Sequence, residues 1–354
     1  MTRRVTLRRV SLSYADGLVL HTASSGAVPA LDELRLVVTQ DGAVAALGAT
    51  RLNIEYLSGI AAEVLCDLCV AAFEALDWSG PPAAWRLPPG LPAPARMLFE
   101  MAAADGAARA AGVPLSVWLG GSVTAAVSTN QTLFLSDDAM LLHRARAYAA
   151  RGFHALKLRV GAGAVADDLR RIRLLRDALG DGLHLAADAN GSWSEAEAPA
   201  ILGSLAALGL DYVEQPIPAG DWAAIGRVSR DAALPVMLDE SLSDAAAVDT
   251  LLRTRAAAMA HLKLAKLGGL DRLMAAGRRL REGGIPVMVG QMNEGAVSTL
   301  AAAHAAAALG VRHRELYGAD GLRDDPVGVL RYADGCVHLP PGPGLGLDRH
   351  DSTG

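Results

Sequence analysis

The chain has 354 residues, 51% of them apolar, which is enough to bury a sizeable core in one large domain or two. Aromatics are only 4%, so alanine-rich, close-packed helices are expected rather than an aromatic-rich sandwich. The 33 Lys and Arg against 38 Asp and Glu give a net charge of -5 with no long basic run, no 18-residue apolar span is free of polar breaks, and the start MTRRVTLRRV has no signal-peptide core; nucleic acid and membrane are excluded as partners and a soluble, cytoplasmic protein is expected.

The first ~50 residues read as strands. RVTLRRVSLSY and ELRLVVTQDGAVAALGA alternate or run apolar, and Asp41-Gly42 is a hairpin signal. Helical patterns follow at ~59–80 and ~93–112, separated by the proline-rich loop PPAAWRLPPGLPAP. Cys66 and Cys69 form a C-x-x-C inside the first of these helices. No second ligand cluster accompanies them, so they are expected to pack as small buried hydrophobes. GVPLSVWLGGS punctuates the chain near residue 120.

Beyond that point strand and helix alternate. TAAVSTNQTLFL opens the series. HALKLRV precedes a helix at ~165–179, LHLAADA one at ~194–208, LDYVEQP one at ~220–231, PVMLDES one at ~244–254, AHLKLAK one at ~269–282 and PVMVGQM one at ~294–309. With VRHREL this makes eight strands over roughly 200 residues, the pattern of a parallel (β/α)8 TIM barrel. A doubly wound open sheet is the competing reading. The tail, DGCVHLPPGPGLGLD, reads as an extended return segment.

Asp188, Glu214 and Asp239 end the third, fourth and fifth strands, spaced by one βα unit each. In a barrel the C-terminal ends of consecutive strands lie side by side, so the three carboxylates converge on one mouth. Each alone could be a helix N-cap. Together they would repel unless a divalent cation sits among them, and all-oxygen ligation suits Mg²⁺ or Mn²⁺. Lys157 and Arg159 share one side of the second strand, and Lys263 lies on the sixth. A substrate held on the metal would then meet a cationic group at each face. Lysine as a general base needs a depressed pKa, which burial beside other cations supplies. Lys266 is read as a loop or helix-start charge.

These pieces resemble the enolase superfamily, specifically its muconate lactonizing enzyme subgroup, within the wider mandelate racemase/muconate lactonizing enzyme family. LKLRVG, ADANGSW, VEQP, LDES, LKLAKLGGL, ELYGADGLRDDP and PGPGLG match in order over almost the whole chain. The resemblance implies that residues 1–120 form an α+β capping domain completed by 317–354. It places a catalytic barrel at 121–316. It also implies removal of a proton next to a carboxylate to give a metal-stabilised enolate, and a homo-oligomer. The subgroup pattern on the second strand is Lys-x-Lys; here its second position is Arg159, which stays protonated and is a poor base. Lys263 is therefore expected to be the working base of a one-sided site. Tyr317 stands where dipeptide epimerases of the subgroup carry a second Asp. No His-Asp pair of the mandelate racemase kind is visible. By position in the resemblance, His21, Asn53 and Tyr56 in the cap, Gln131 near the end of the first barrel strand, and Asn293 and Glu294 after the seventh are candidate substrate contacts. Asn190 and Glu240 are expected beside the metal ligands.

The expected activity is that of a Mg²⁺-dependent epimerase, racemase or dehydratase acting on a small-molecule carboxylate, an amino-acid derivative or a hydroxy or imino acid. A muconate-type cycloisomerase is the alternative within the fold. A Schiff-base aldolase using Lys263 and a non-catalytic carboxylate-binding homologue are the readings from other classes.

Overall fold

Polar–apolar alternation draws the first fifty residues into an antiparallel sheet. β1 (Arg3–Ser13) pairs along its length with β4 (Ala30–Gln40), and β4 with β5 (Ala43–Arg51). Asp41 and Gly42 make the turn between β4 and β5 with φ of 50° and 85°, the positive values a tight hairpin needs. β2 (Leu20–Thr22) and β3 (Gly26–Val28) form a small ribbon before β4. The computed structural model describes residues 2–15, 20–22 and 26–348, with the backbone alone for 20–22 and 26.

Four helices complete the cap: α1 (Glu55–Ser58), α2 (Ala62–Ala75), α3 (Ala93–Ala110) and α4 (Leu115–Trp118). α3 is buried on most sides, as its apolar composition requires. A Cβ at Gly48 on β5 would lie 2.0 Å from the Leu98 carbonyl, so only glycine lets sheet and helix approach this closely. Cys66 and Cys69 lie on α2 as free thiols, and burial pushes the Cys69 thiol up to about 12. That leaves it a packing residue.

Eight strands follow in one parallel sheet ordered as in the sequence. β6 (Ala126–Ser128) precedes them. They are β7 (Gln131–Leu133), β8 (Ala155–Arg159), β9 (His184–Asp188), β10 (Val213–Glu214), β11 (Val236–Leu238), β12 (Met259–Lys263), β13 (Val287–Gly290) and β14 (His313–Glu315). Asn130 N donates to Arg314 O at 3.1 Å and Leu316 N to Thr129 Oγ1 at 2.8 Å, bringing first and last strands together as a barrel. The helices between them are α5 (Asp138–Ala150), α6 (Val165–Leu179), α7 (Ala198–Ala207), α8 (Trp222–Arg230), α9 (Ala245–Thr254), the short α10 (Leu264–Leu267), α11 (Leu270–Glu282) and α12 (Ala296–Leu309). The open-sheet reading is thereby set aside. α5 carries a thin apolar stripe, burying only Leu141 and Ala145, and starts where Asp137 caps Met140 N.

The tail takes a divided path. Ala15 N donates to Gly321 O and Arg323 N to Ser13 O, so its first part extends the end of β1. β15 (Tyr332–Ala333) and β16 (Cys336–His338) then form an antiparallel pair whose β16 edge joins β6 below the barrel. Gly344 finally exchanges hydrogen bonds with Val113 and Leu115 beside α4. Among the described residues, no helix is long and apolar enough to cross a membrane.

Candidate active site

Residues two apart on a strand face the same way, so each barrel strand feeds the interior at fixed levels. Ala186, Tyr212, Met237, Met259 and Met288 form an apolar cluster of their own, separate from the main core, and make the floor. Two residues above three of them stand Asp188, Glu214 and Asp239. Above Met259 on β12 stand His261 and Lys263. Water is excluded at this level: Asp188, Glu214, Lys157 and His261 have no exposed surface.

The carboxylates are held by cations from the flanking strands. Lys157 Nζ lies 2.8 Å from Glu214 Oε2 and 3.4 Å from Asp188 Oδ2, and also bonds Glu315 Oε2. Arg159 Nη1 bonds Asp188 Oδ2 and lies 3.0 Å from Asn190 Oδ1. Lys263 Nζ donates to Asp239 Oδ2 at 2.7 Å. Burial opposes the charge of Lys157, but Glu214, Glu315 and Asp188 outweigh it and hold the ammonium well above its ordinary value. Burial also opposes the charge on Glu214, yet Lys157 and His261 keep its carboxyl far down. Asp188 is pushed up by burial, with Arg159 opposing.

The structure fixes the surroundings of both lysines on this side. Burial presses the Lys263 pKa down, but Asp239 and Glu315 raise it more, and Asp239 is one of the charges a bound cation would offset. Lys266 is a helix-start charge, on the short α10, rather than a loop one. It is buried on α10, and its Nζ donates to the carboxylate and carbonyl of Asp239 and, at 3.1 Å, to His261 O. Burial lowers its pKa.

Three further residues complete the ring. His261 Nδ1 lies 2.9 Å from Glu214 Oε1, and its Nε2 is buried without a partner. A Cβ at Gly290 would stand 2.1 Å from that Nε2, so glycine on β13 makes room for the imidazole. Glu315, two residues before Tyr317, ends β14 as the other carboxylates end theirs. Gln215, at φ 36°, accepts the backbone N–H groups of Asp239 and Ser241 at 3.2 Å each and fixes the turn carrying Asp239. His261 and Glu315 carry a readable signal, the two-residue spacing to Lys263 and Tyr317. Lys266 and Gln215 carry none, because their side chains reach the ring from a helix and a turn.

The mouth above the ring is a cavity of about 50 Å³. Tyr56, Arg159, Asn190, Asp239, Glu240 and Lys263 line it, with Asn293, Glu315 and Tyr317. Asn190 Nδ2 donates to Glu240 Oε1 at 3.0 Å, and burial with the charges of Asp239 and Asp188 raises Glu240 to about 7. Glu294 is fully buried beneath the same loop, accepts Met292 N at 3.0 Å, and is raised by burial to about 7. Arg51 from the cap clamps this loop, donating to Met292 O at 2.6 Å.

Two of the candidate substrate contacts have side chains already engaged by protein groups. Asn53 is consumed within the cap, accepting from Arg51 Nε at 2.7 Å and Asp32 N at 3.2 Å and donating to Ala30 O at 2.9 Å. Gln131 begins β7 rather than ending it, and its Nε2 donates to Asp320 Oδ2 at 2.7 Å on the outer side. The side chain of His21 lies outside the described residues.

The donor set fits a divalent cation. Among the described residues, Glu214, Asp239 and His261 each offer one ligand atom, all within 4.8 Å of one another, and Asp188 stands beside them. In this arrangement His261, unexpected from the sequence, completes the tight triad, while Asp188 Oδ2 is turned to Arg159 and Lys157. A buried carboxylate pair with an imidazole is chemistry for Mg²⁺ or Mn²⁺, the nitrogen favouring Mn²⁺.

Comparison with known proteins gives the family and the fold. Residues 140–352 match the family described as enolase C-terminal domain-like. The chain is 32% identical over 257 residues to L-Ala-D/L-Glu epimerase of Bacillus subtilis (strain 168), covering 72% of this chain and 70% of that protein. It is 33% identical over 257 residues to muconate cycloisomerase 1-2 of Acinetobacter lwoffii, covering 72% and 67%. The structure of the Bacillus subtilis L-Ala-D/L-Glu epimerase in a substrate-liganded complex superposes with a TM-score of 0.87 at 27% identity, covering 97% of this chain and 98% of that one. The eight-stranded barrel under an N-terminal cap, the family match and these relatives together make the chain an enzyme of the enolase superfamily, in its muconate lactonizing enzyme subgroup.

Proposed function

We propose that the protein is a Mg²⁺-dependent enzyme that removes the α-proton of a small carboxylate substrate, and that it epimerises, racemises or dehydrates an amino-acid derivative or a hydroxy or imino acid. The observation that carries this is the arrangement of charges. Arg159 and Lys157 close one end of the carboxylate row and Lys263 the other, all three buried. Asp188, Glu214 and Asp239, with His261 against Glu214, would hold the metal. A bound Mg²⁺ supplies positive charge that offsets the charge developing on the substrate carboxylate as the proton leaves. Lys263 takes the proton at Nζ once the charge of Asp239 is offset, since Asp239 is what holds its proton on most strongly. Arg159 remains charged and orients the carboxylate or stabilises developing charge. Tyr56, Asn293 and Tyr317 border the space for the rest of the substrate.

Tyr317 also bears on the substrate. Its ring packs edge-on to Phe134 at 6.1 Å and burial raises its hydroxyl to about 12, so on this wall Tyr317 itself offers no anion to an ammonium. A free dipeptide is therefore disfavoured. The same wall favours muconate-type cycloisomerisation as the second reading. The division into a cap of residues 1–120 with 317–354 and a barrel of 121–316, and a homo-oligomeric assembly, belong to this proposal. The test is α-proton exchange in D₂O, followed by NMR over N-acyl amino acids, dipeptides, prolines and lactones, with and without EDTA. Exchange should require metal, act on one enantiomer much faster, and fall at least ~10²-fold in Lys263→Ala. Equal exchange of both enantiomers that persists in Lys263→Ala would overturn the one-sided mechanism.

A further inference from the structure

A second cavity, about 460 Å³, lies at the opposite end of the barrel, under the floor residues Ala186, Tyr212 and Met288. Its wall carries Arg312, Arg314, His154, His184 and His313. Arg314 is half-buried; its Nη1 donates to Ser128 Oγ at 2.5 Å and its Nε is buried without a partner. Neither Arg312 nor Arg314 has an ion-pair partner among the described residues. Of the two carboxylates in the lining, Asp211 is engaged by His184 Nδ1 at 3.2 Å, and Asp334 sits in the turn between β15 and β16. The imidazole of His313 packs edge-on to Tyr212, with ring centroids 5.8 Å apart. His313 is perturbed first by burial and then by Arg312, Asp211, His184 and Arg314, so these charges surround one space.

A half-buried guanidinium with a bare Nε and no carboxylate is costly unless something anionic meets it. We propose that this cavity binds a small polyanion, a phosphate or a dicarboxylate, held by the guanidinium groups of Arg314 and Arg312. Planar, forked donors match either anion. The cavity shares no lining residue with the mouth, but one hydrogen bond joins their walls. Asn130, a buried wall residue, donates Nδ2 to Glu315 Oε2 at 3.4 Å, and Glu315 in turn bonds Lys157. A ligand here therefore touches the partner of a carboxylate in the charged ring.

The test is calorimetric titration of the full chain with inorganic phosphate and, separately, with succinate, at constant ionic strength in EDTA, with thermal melts in parallel. At least one anion should saturate a single site and raise the melting temperature, and which one does so assigns the ligand as phosphorylated or dicarboxylic. Arg314→Gln and Arg312→Ala should each weaken binding at least about tenfold, the loss of one charge-assisted contact. Arg312 is exposed, so that variant decides the matter if Arg314→Gln does not fold. Binding that survives both substitutions, that vanishes in Lys263→Ala instead, or that is absent at about 10 mM of either anion would overturn the proposal.

Discussion

Lys157→Met isolates the part played by one cation in the charged ring. Lys157 is fully buried, 2.8 Å from Glu214, 3.4 Å from Asp188 and bonded to Glu315. Methionine keeps much of the volume and removes the charge, leaving three buried carboxylates facing one another. Breaking a buried ion pair by removing one partner costs about 3–5 kcal/mol, because the remaining charge stays desolvated. Urea unfolding in EDTA should show a loss of that order. Adding Mg²⁺ should stabilise the variant more than the wild type, since a cation that binds only the native state adds stability in proportion to its affinity, and the variant has more negative charge to offer. Acid should narrow the gap. In the wild type Glu214 is held below its ordinary pKa, so its contribution is present above the unfolded pKa and fades as pH falls through the folded one. In the variant the carboxylates take up protons earlier, and their repulsion goes. A Lys157→Met protein within about 1 kcal/mol of wild type in EDTA, with equal Mg²⁺ increments for both, would refute the claim that Lys157 holds this ring together.

His261→Asn removes the ring that fixes Glu214 Oε1 at 2.9 Å; Mn²⁺ affinity by calorimetry should fall about 10–100-fold, and an unchanged Kd would show that His261 neither binds nor orients the ligands. Glu294, raised by burial to about 7, is favoured in its protonated form in the fold, so its contribution is whole below its unfolded pKa and is lost as pH rises through about 7. Wild type should therefore lose about 1–3 kcal/mol relative to Glu294→Gln between pH 5 and pH 8 in urea unfolding, and parallel pH profiles for the two proteins would contradict this.

The barrel was legible because it is written in short-range pattern. Each apolar strand followed by an amphipathic helix is a local signal, and eight repetitions leave few topologies. The positions of Asp188, Glu214, Asp239, Lys157, Arg159 and Lys263 were legible for the same reason: period two and the strand end say which way a side chain points and at what height. His261 and Glu315 obey that rule and could have been found by it. The helix Asp138–Ala150 lacked a strong periodic stripe, because it buries only two residues.

What the sequence by itself determined is thus the alternating architecture, the family and the level of the barrel at which the charges gather. Only the tertiary structure decided how those charges pair. Lys266 enters the ring from α10 and Gln215 from a turn with positive φ, while Arg51 reaches from the cap to the loop above the ring, none of them in register with the barrel-strand pattern. It likewise spent Asn53 on the backbone of the cap and turned Gln131 outward to Asp320. It also set Lys263 against Asp239, a carboxylate 24 residues away in the chain and 2.7 Å away in space. The physical reason is one of range. Hydrophobic periodicity is fixed by neighbours a few residues apart, whereas a buried charge is set by whichever groups the fold brings within a few ångströms, where low dielectric makes each of them count.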